Sequence, residues 1–534
     1  MNRLCLILTF LAISIINKAQ TIPFDFELDI IPKSIPNLPG IHSYAYAESN
    51  GKWLIIGGRR DGLHARQPFN AFPESSNNTD LLVIDPQSTQ IWSASASQLP
   101  ISIAEQLQST NMNFHQDDDT LFIIGGYAFS QTVQDHITFP NMTSLIVSDV
   151  VNAIVSGNPI SPYFKQITNQ NFAVTGGHLG KIDNIFYLVG GHRFDGRYNP
   201  MGNATYTQTY VDGIRKFEID NSGNQLSFSN YSVITDQVHL HRRDYNLVPQ
   251  IFPNGDEGYM ISSGVFQINA DLPFLYPVEI TSGGYNPITS FNQYLSNYHS
   301  PKVGIYDNQN NTMHSLFFGG MSQYYYNNGN LIQDVSVPFV RTISRVSRDA
   351  IGNLQEIVFP NEMPALLGTS AEFIINKSIP HSENGVLIIS GNTPDSLLIG
   401  HILGGIKSTE LNPFTVNNTG ATSAYNGIFE VWLKKNSINN VQLIDGSNPF
   451  HVSIYPNPSI NKMELEVGIP YDGRLSLLIT NIDGQLINSK NFDVTKNEKL
   501  YIETDELLLD SGTYFFNFVF ENKYSHIEKI IILE

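Results

Sequence analysis

"KWLIIGGRRDGLH" occupies residues 52–64. Four apolar residues run into two glycines, and two arginines follow at once. A short apolar run bounded by glycines reads as a buried strand. A glycine pair at its end supplies positive φ and lets another backbone come close. A phosphate-cradling loop would need a different glycine spacing and a following helix, and neither is visible. The reading turns on whether the pattern recurs.

It recurs along the chain. "LFIIGG" ends at Gly126, "IFYLVGG" at Gly191 and "HSLFFGG" at Gly320. "GYMISSG" at Gly264 and "GVLIISG" at Gly391 are weaker copies, with Ser in place of the first glycine. The steps from Gly58 onward are 68, 65, 73, 56 and 71 residues. Six copies at a rough period predict a repeat architecture. Before each apolar run lies another strand-like stretch, as in "HSYAYAE" (42–48) and "YNLVPQIF" (245–252). Asn, Asp and Gly clusters such as "ESNGK" and "QDDDT" separate the two and favour hairpins. After the glycines comes a polar loop of roughly twenty residues, long enough to carry function. Two more strands follow, as in "DLLVIDPQSTQIWSAS" (80–95). The unit is a four-stranded antiparallel meander.

The glycine pair after four hydrophobics, and the downstream "D-L-x-V-x-D-x5-I-W" ending in Trp92, resemble the Kelch family of β-propellers. The resemblance covers about residues 24–436 and implies six blades around a central channel. The closing blade has two readings. "LLIGHILGGI" (397–406) is either the strand after "GVLIISG" or the true second strand. In the second case "GIFEVWL" (427–433) is third, and the N-terminal "FDFELDI" (24–30) completes the blade. That arrangement is favoured, because pairing first and last strands removes an exposed edge.

The ends of the chain read differently. Residues 1–19 have a positive start at Arg3, an apolar stretch from Leu4 to Ile16 and a small Ala19, the pattern of a signal peptide. The predicted propeller takes residues 20–436 and a linker 437–450. Residues 451–534 carry "VSIYPNPS", "LSLLITNIDGQLI" and "LDSGTYFFNFVF", whose alternation and Gly turns predict a small immunoglobulin-like β-sandwich. "YPNPS", a central Asp-Gly-Gln hairpin, "SGTY" and a short apolar terminus resemble the type A sorting domain of the bacterial type IX secretion system. That resemblance implies the type IX machinery as a partner. It also implies an extracellular or outer-surface location after periplasmic transit.

Composition narrows the function classes. The 534 residues carry a net charge of −19, with 41% hydrophobic and 11% aromatic residues. Such a chain buries enough apolar surface to order itself. Its charge argues against nonspecific nucleic-acid binding. No stretch beyond the leader is long and apolar enough to span a bilayer. The single cysteine, Cys5, lies in the leader, so a mature chain has no thiol nucleophile, disulfide or thiolate metal site.

Seven of the thirteen arginines fall on the loops of one end: Arg59, Arg60, Arg66, Arg193, Arg197, Arg242 and Arg243. Guanidinium forks suit carboxylates and phosphates. His192, His241 and Tyr325 lie beside them, with His64, His239, Tyr198 and Tyr245. These residues are the candidate ligand site, for an anionic glycan or a protein. The bland alternative is salt bridging to the nearby Asp61, Asp195 and Asp244. One positive patch is expected from Arg59 or Arg60 with Arg193 and Arg242 or Arg243. "HLH" at 239–241 would put two imidazoles on one strand face, but no third ligand has diagnostic spacing, and no metal or other cofactor is expected. No catalytic residue is assigned. The balance favours a binding protein over an enzyme. Kelch-type sialic acid mutarotases, which work with Arg, His and Glu, keep open an enzyme acting on an acidic sugar.

Overall fold

The structure is a computed structural model. It describes residues 22–435, 442–444 and 450–533, apart from 68–69, 201–204, 328–329, 461, 470, 482–485, 496–498, 508 and 522–523. The signal-peptide expectation falls on residues outside this set.

Six antiparallel meanders follow one another. Sheet 1 runs Ala45–Ser49, Lys52–Ile56, Asp80–Asp85 and Gln90–Ser95. Sheets 2, 3 and 4 begin at Asn113–Asp117, His178–Ile182 and Asn246–Ile251, and each adds its next three strands in order. Sheet 5 is built on Lys302–Asp307, Thr312–Met321, Phe339–Arg348 and Leu354–Glu362. Sheet 6 joins Glu372–Ile375, Ser396–Leu403 and Ile428–Lys435 to Phe26–Lys33 from the other end of the chain. Pairing of Phe26 with Lys435 through to Lys33 with Ile428 covers what would be an open edge. Of the two readings of the last unit, the one with the N-terminal strand is therefore the arrangement observed.

"GVLIISG" does not form a copy of the repeat. Leu387–Ile389 instead pairs in parallel with the first strand of sheet 5. The segment between the first two strands of sheet 6 crosses the middle of the molecule to reach it. Glu383 meets Lys181 at 3.3 Å, and Tyr259 donates to Asn384 Oδ1 at 2.7 Å. The glycine pair that belongs to the repeat is Gly404–Gly405. Residues 442–444, expected in the linker, pair with Leu354–Glu362 at the outer edge of sheet 5.

Each sheet contributes one residue to a closed ring of backbone hydrogen bonds. Asn111 N–H donates to Ser43 O at 3.1 Å, Ser43 to Ser370 at 2.9 Å, and Ser370 to His299 at 2.9 Å. His299 donates to Asp244 at 2.8 Å, Asp244 to Gly176 at 2.7 Å, and Gly176 to Asn111 at 3.2 Å. The six sheets thus succeed one another in a cycle with their first strands innermost. The glycine pairs lie just outside this ring. Gly58 N–H donates to Ser109 O at 2.8 Å, Gly126 to Val174 at 3.0 Å, and Gly405 to Ile41 at 2.8 Å, each reaching the next sheet. A Cβ on Gly125, whose φ is +69°, would sit 1.8 Å from Val174 O. Apolar cores fill the space between sheets, with Leu54, Ile56, Leu121 and Ile123 buried between the first two.

Residues from 450 on form two further sheets of three and four strands around a separate core that includes Phe450, Leu465, Leu477, Phe516 and Phe518.

Candidate functional site

The repeat register builds the site. Immediately before the ring residues stand His42, Thr110, Thr175, Arg243, Tyr298 and Thr369. Immediately after the glycine positions stand Arg59, Tyr127, His192, Val265, Met321 and Ile406. The two sets pair across each unit: His42 with Arg59, Thr110 with Tyr127, Thr175 with His192 and Arg243 with Val265. Tyr298 N–H donates to Met321 O at 3.3 Å, and Thr369 pairs with Ile406. Every member except Val265, replaced by Phe266, lines a cavity of about 250 Å³ above the ring.

The long loops wall this chamber. Three of them close on themselves as hairpins. Tyr127–Ser130 pairs with Asp135–Thr138, His192–Gly196 with Tyr206–Tyr210, and Tyr324–Asn327 with Asn330–Gln333. A three-stranded patch joins Leu366–Thr369, Ile406–Ser408 and Thr422–Ala424. Adjacent hairpins lock together: Thr138 Oγ1 donates to Phe194 O at 2.7 Å, and Tyr127 donates to Gly196 O at 2.8 Å. Phe72, Phe194, Tyr198 and Phe414 complete the wall, with His64 stacked on Phe72 at 4.6 Å and edge-on to Tyr198 at 4.7 Å.

Charge in the chamber is mostly paired. Arg59 is 3% exposed and engages all three of its nitrogens: Nε donates to Asp61 at 2.9 Å, Nη1 to Asn77 Oδ1 at 2.9 Å, and Nη2 to Asp61 and Pro73 O. Burial pushes the Asp61 carboxyl up, but His42 and Arg59 outweigh it and hold it at about 2. Arg243 lies over Phe266 at 4.9 Å; its Nε donates to Tyr210 Oη at 3.0 Å and its Nη1 to Asp244. Burial opposes the Arg243 charge, but Asp244 and Tyr210 raise its pKa above the usual arginine value. Its Nη2 has no partner among the described residues. His64 and His192 are neutral at pH 7, because burial holds His64 at about 4 and drives His192 well below its usual value.

At the ring, His299 Nε2 lies 2.9 Å from Glu372 Oε1, and Lys302 Nζ lies 3.5 Å from Glu372 Oε2. Burial raises the Glu372 carboxyl, but Lys302 and His299 overcome it and hold it at about 2. Glu372 is therefore a carboxylate at pH 7, with an imidazole and an ammonium beside it.

Of the residues singled out in the sequence, the chamber brings together Arg59, His192 and Arg243, with His64 and Tyr198. Arg60 turns outward to Asn78 and Asp80 and is 37% exposed. Arg193 pairs with Asp195 at 2.5 Å and is 47% exposed. Arg66 packs over Phe414 at 5.5 Å, and Arg197 Nε donates to Ala71 O at 2.9 Å, so both brace loops. His241 binds Asp212 at 2.6 Å and stacks on Tyr210. Tyr325 belongs to the Tyr324–Asn327 hairpin and is not in the chamber wall. Arg242 is fully buried; it donates to the carbonyls of His239, Ser263 and Tyr276 and lies against Phe274 and Tyr276. The expected patch of Arg59 or Arg60 with Arg193 and Arg242 or Arg243 therefore does not form: Arg59 and Arg243 line the chamber and Arg193 does not. Strand alternation sends successive residues to opposite sides, and acids or carbonyls take the rest. Residues 239–241 form a turn rather than a strand, and His239 meets Tyr276 Oη at 3.1 Å. No group of three or more metal-ligating side chains occurs among the described residues.

Sequence reading missed Phe266, Tyr298, His299, Thr369 and Glu372. The usable signal is positional: the residue after each glycine pair and the residue before each ring residue face the chamber, whatever their chemistry.

Residues 453–533 match the family described as the secretion system C-terminal sorting domain. A tail of this kind indicates export. No curated protein sequence matches the chain. The solved structure described as "Structure of YjhT" overlays on 75% of this chain and 100% of its own, with 12% identity and a TM-score of 0.40.

Proposed function

We propose that the protein is a secreted Kelch-like six-bladed β-propeller that binds a glycan in the chamber above the ring. Residues 1–19 act as a signal peptide, 20–436 form the propeller, and 437–450 lead to a type IX sorting domain at 451–534. The protein reaches the outer surface or the medium after crossing the periplasm. The chamber's wall carries the ligand reading. Phe72, Phe194, Tyr198, Phe266 and Tyr298 surround a space that also holds Arg243, Gln208 and four imidazoles. Aromatic faces stack on the C–H faces of sugar rings, and the polar groups supply hydroxyl partners. Such a well suits a small polyhydroxy ligand better than a protein loop. A glycan array with the intact protein tests this, followed by titration calorimetry of the hits. Tyr198→Ala should weaken binding roughly tenfold, about 1.4 kcal/mol. Absence of any glycan binding by the folded protein overturns the reading.

His299 with Glu372 favours a second reading, an enzyme acting on an acidic sugar such as a sialic acid epimerase or mutarotase. An imidazole beside a buried carboxylate is suited to general acid–base work. Anomer exchange of N-acetylneuraminic acid, followed by NMR, should then be accelerated. His299→Gln should lower that rate while leaving affinity intact. No acceleration by the parent protein removes this reading.

A further inference from the structure

The chamber has a floor. Beneath it the hydrogen-bonded ring leaves a void of about 20 Å³, lined by Ser43, Asn111, Gly176, Asp244, His299 and Glu372. That is room for about one water molecule. The ring residues bond to one another through backbone, so the opening cannot widen without breaking the cycle. Beyond it lies a second cavity of about 420 Å³, spanned by the segment that bonds Glu383 to Lys181 and Asn384 to Tyr259. The upper chamber is therefore blind, with access only between the hairpins. Its volume of about 250 Å³ lies just below the usual range of ligand pockets, which suits a small ligand.

Several polar atoms lining the chamber have hydrogen-bonding capacity to spare, among them Thr369 Oγ1 and Arg243 Nη2. Thr369 is 5% exposed, lines the chamber, and its Oγ1 has no hydrogen-bond partner. Arg243 keeps Nη2 unspent while Asp244 neutralises only one edge of its fork. A buried polar atom without a partner calls for a ligand or solvent atom. A cation edge and a hydroxyl lining the same small chamber suit a ligand that carries a carboxylate and further oxygens.

Building on the glycan-binding reading, we infer that the chamber takes one carboxylated sugar residue, either free or at the end of a chain, and excludes the same residue inside a chain. An internal residue needs two exits, one for each flanking sugar. The ring closes one of them.

The test uses the intact protein and three matched sets of carboxylated sugars, uronic acids and N-acetylneuraminic acid among them. One set is the free monosaccharide, one an oligosaccharide carrying the residue at its non-reducing end, and one the same residue capped on both sides. The expected result is comparable affinity for the first two and at least a hundredfold loss for the third. Arg243→Met should reduce glucuronic acid to the affinity of glucose, and rising salt should weaken only the carboxylated ligands. Capped residues binding within threefold of terminal ones would overturn the blind-end inference while leaving glycan binding standing. Neutral sugars binding as well as carboxylated ones would overturn the carboxylate assignment. If no sugar of any kind binds, it is the glycan reading itself that fails. These ligand comparisons on the parent protein decide the matter even if Arg243→Met does not fold.

Discussion

Arg59 and Arg60 are neighbours in the chain with opposite fates, and so are Arg242 and Arg243. In each pair one side chain lines the chamber and the other does not. Arg60 holds Asn78 and Asp80 at the surface, where such pairs contribute little. Arg60→Ala should therefore change stability by no more than about 1 kcal/mol. Arg242→Ala removes three hydrogen bonds to buried carbonyls and two aromatic contacts, and should cost about 3 kcal/mol or more. Denaturant midpoints of the two variants check the contrast. The same scale sets a pH response. Burial holds His64, His115, His239 and His401 near 4, whereas in the unfolded chain they titrate near 6.5. Below pH 6.5 the unfolded state binds more protons, so stability falls as pH drops from about 6.5 toward 4. Asp61 and Glu372, held near 2, add their own loss only as the pH falls below the ordinary carboxylate range. Urea midpoints at pH 7 and pH 5 should differ, with the lower value at pH 5; equal midpoints would mean the imidazoles are solvated.

At the scale of the element, the glycine pair was the most legible feature of the sequence, because a Cβ there has nowhere to go. Gly125→Ala combines φ of +69° with a contact of 1.8 Å to Val174 O. It should destabilise by roughly 2–4 kcal/mol, seen as a lower midpoint with an unchanged denaturant slope. Strand order was legible for the same reason: turn clusters and apolar runs are local signals. The closing unit needed more, since Phe26–Lys33 and Ile428–Lys435 are distant in sequence and only edge-covering logic joins them. "GVLIISG" misled because a short apolar run looks the same on the inner edge of sheet 5 as inside a sheet of its own. The loop hairpins were illegible, their polar composition being that of any surface segment. The site was half legible for a related reason. Composition pointed to Arg and His but could not say which alternate residue faces inward, and Tyr298, His299 and Glu372 follow from register alone.

For the whole molecule, the core around Phe450, Leu477 and Phe516 is separate from the cores of the six-sheet body, with Ile527 packing against the one between sheets 3 and 4. Removing residues 453–533 should leave the remainder folded and retained in the periplasm, checked by fractionation and by circular dichroism of the trapped protein. Normal appearance at the surface would sink the sorting role. The ring of Ser43, Asn111, Gly176, Asp244, His299 and Ser370 bears on the body in another way. All six bonds run in the same rotational sense. A linear row of hydrogen bonds polarises along its length and frays where it stops. A closed circuit has no terminus from which to fray, and peptide dipoles laid head to tail around a circle cancel. The in-plane field of the central scaffold is thus small, and discrimination by charge is left to the side chains that each unit places on the rim.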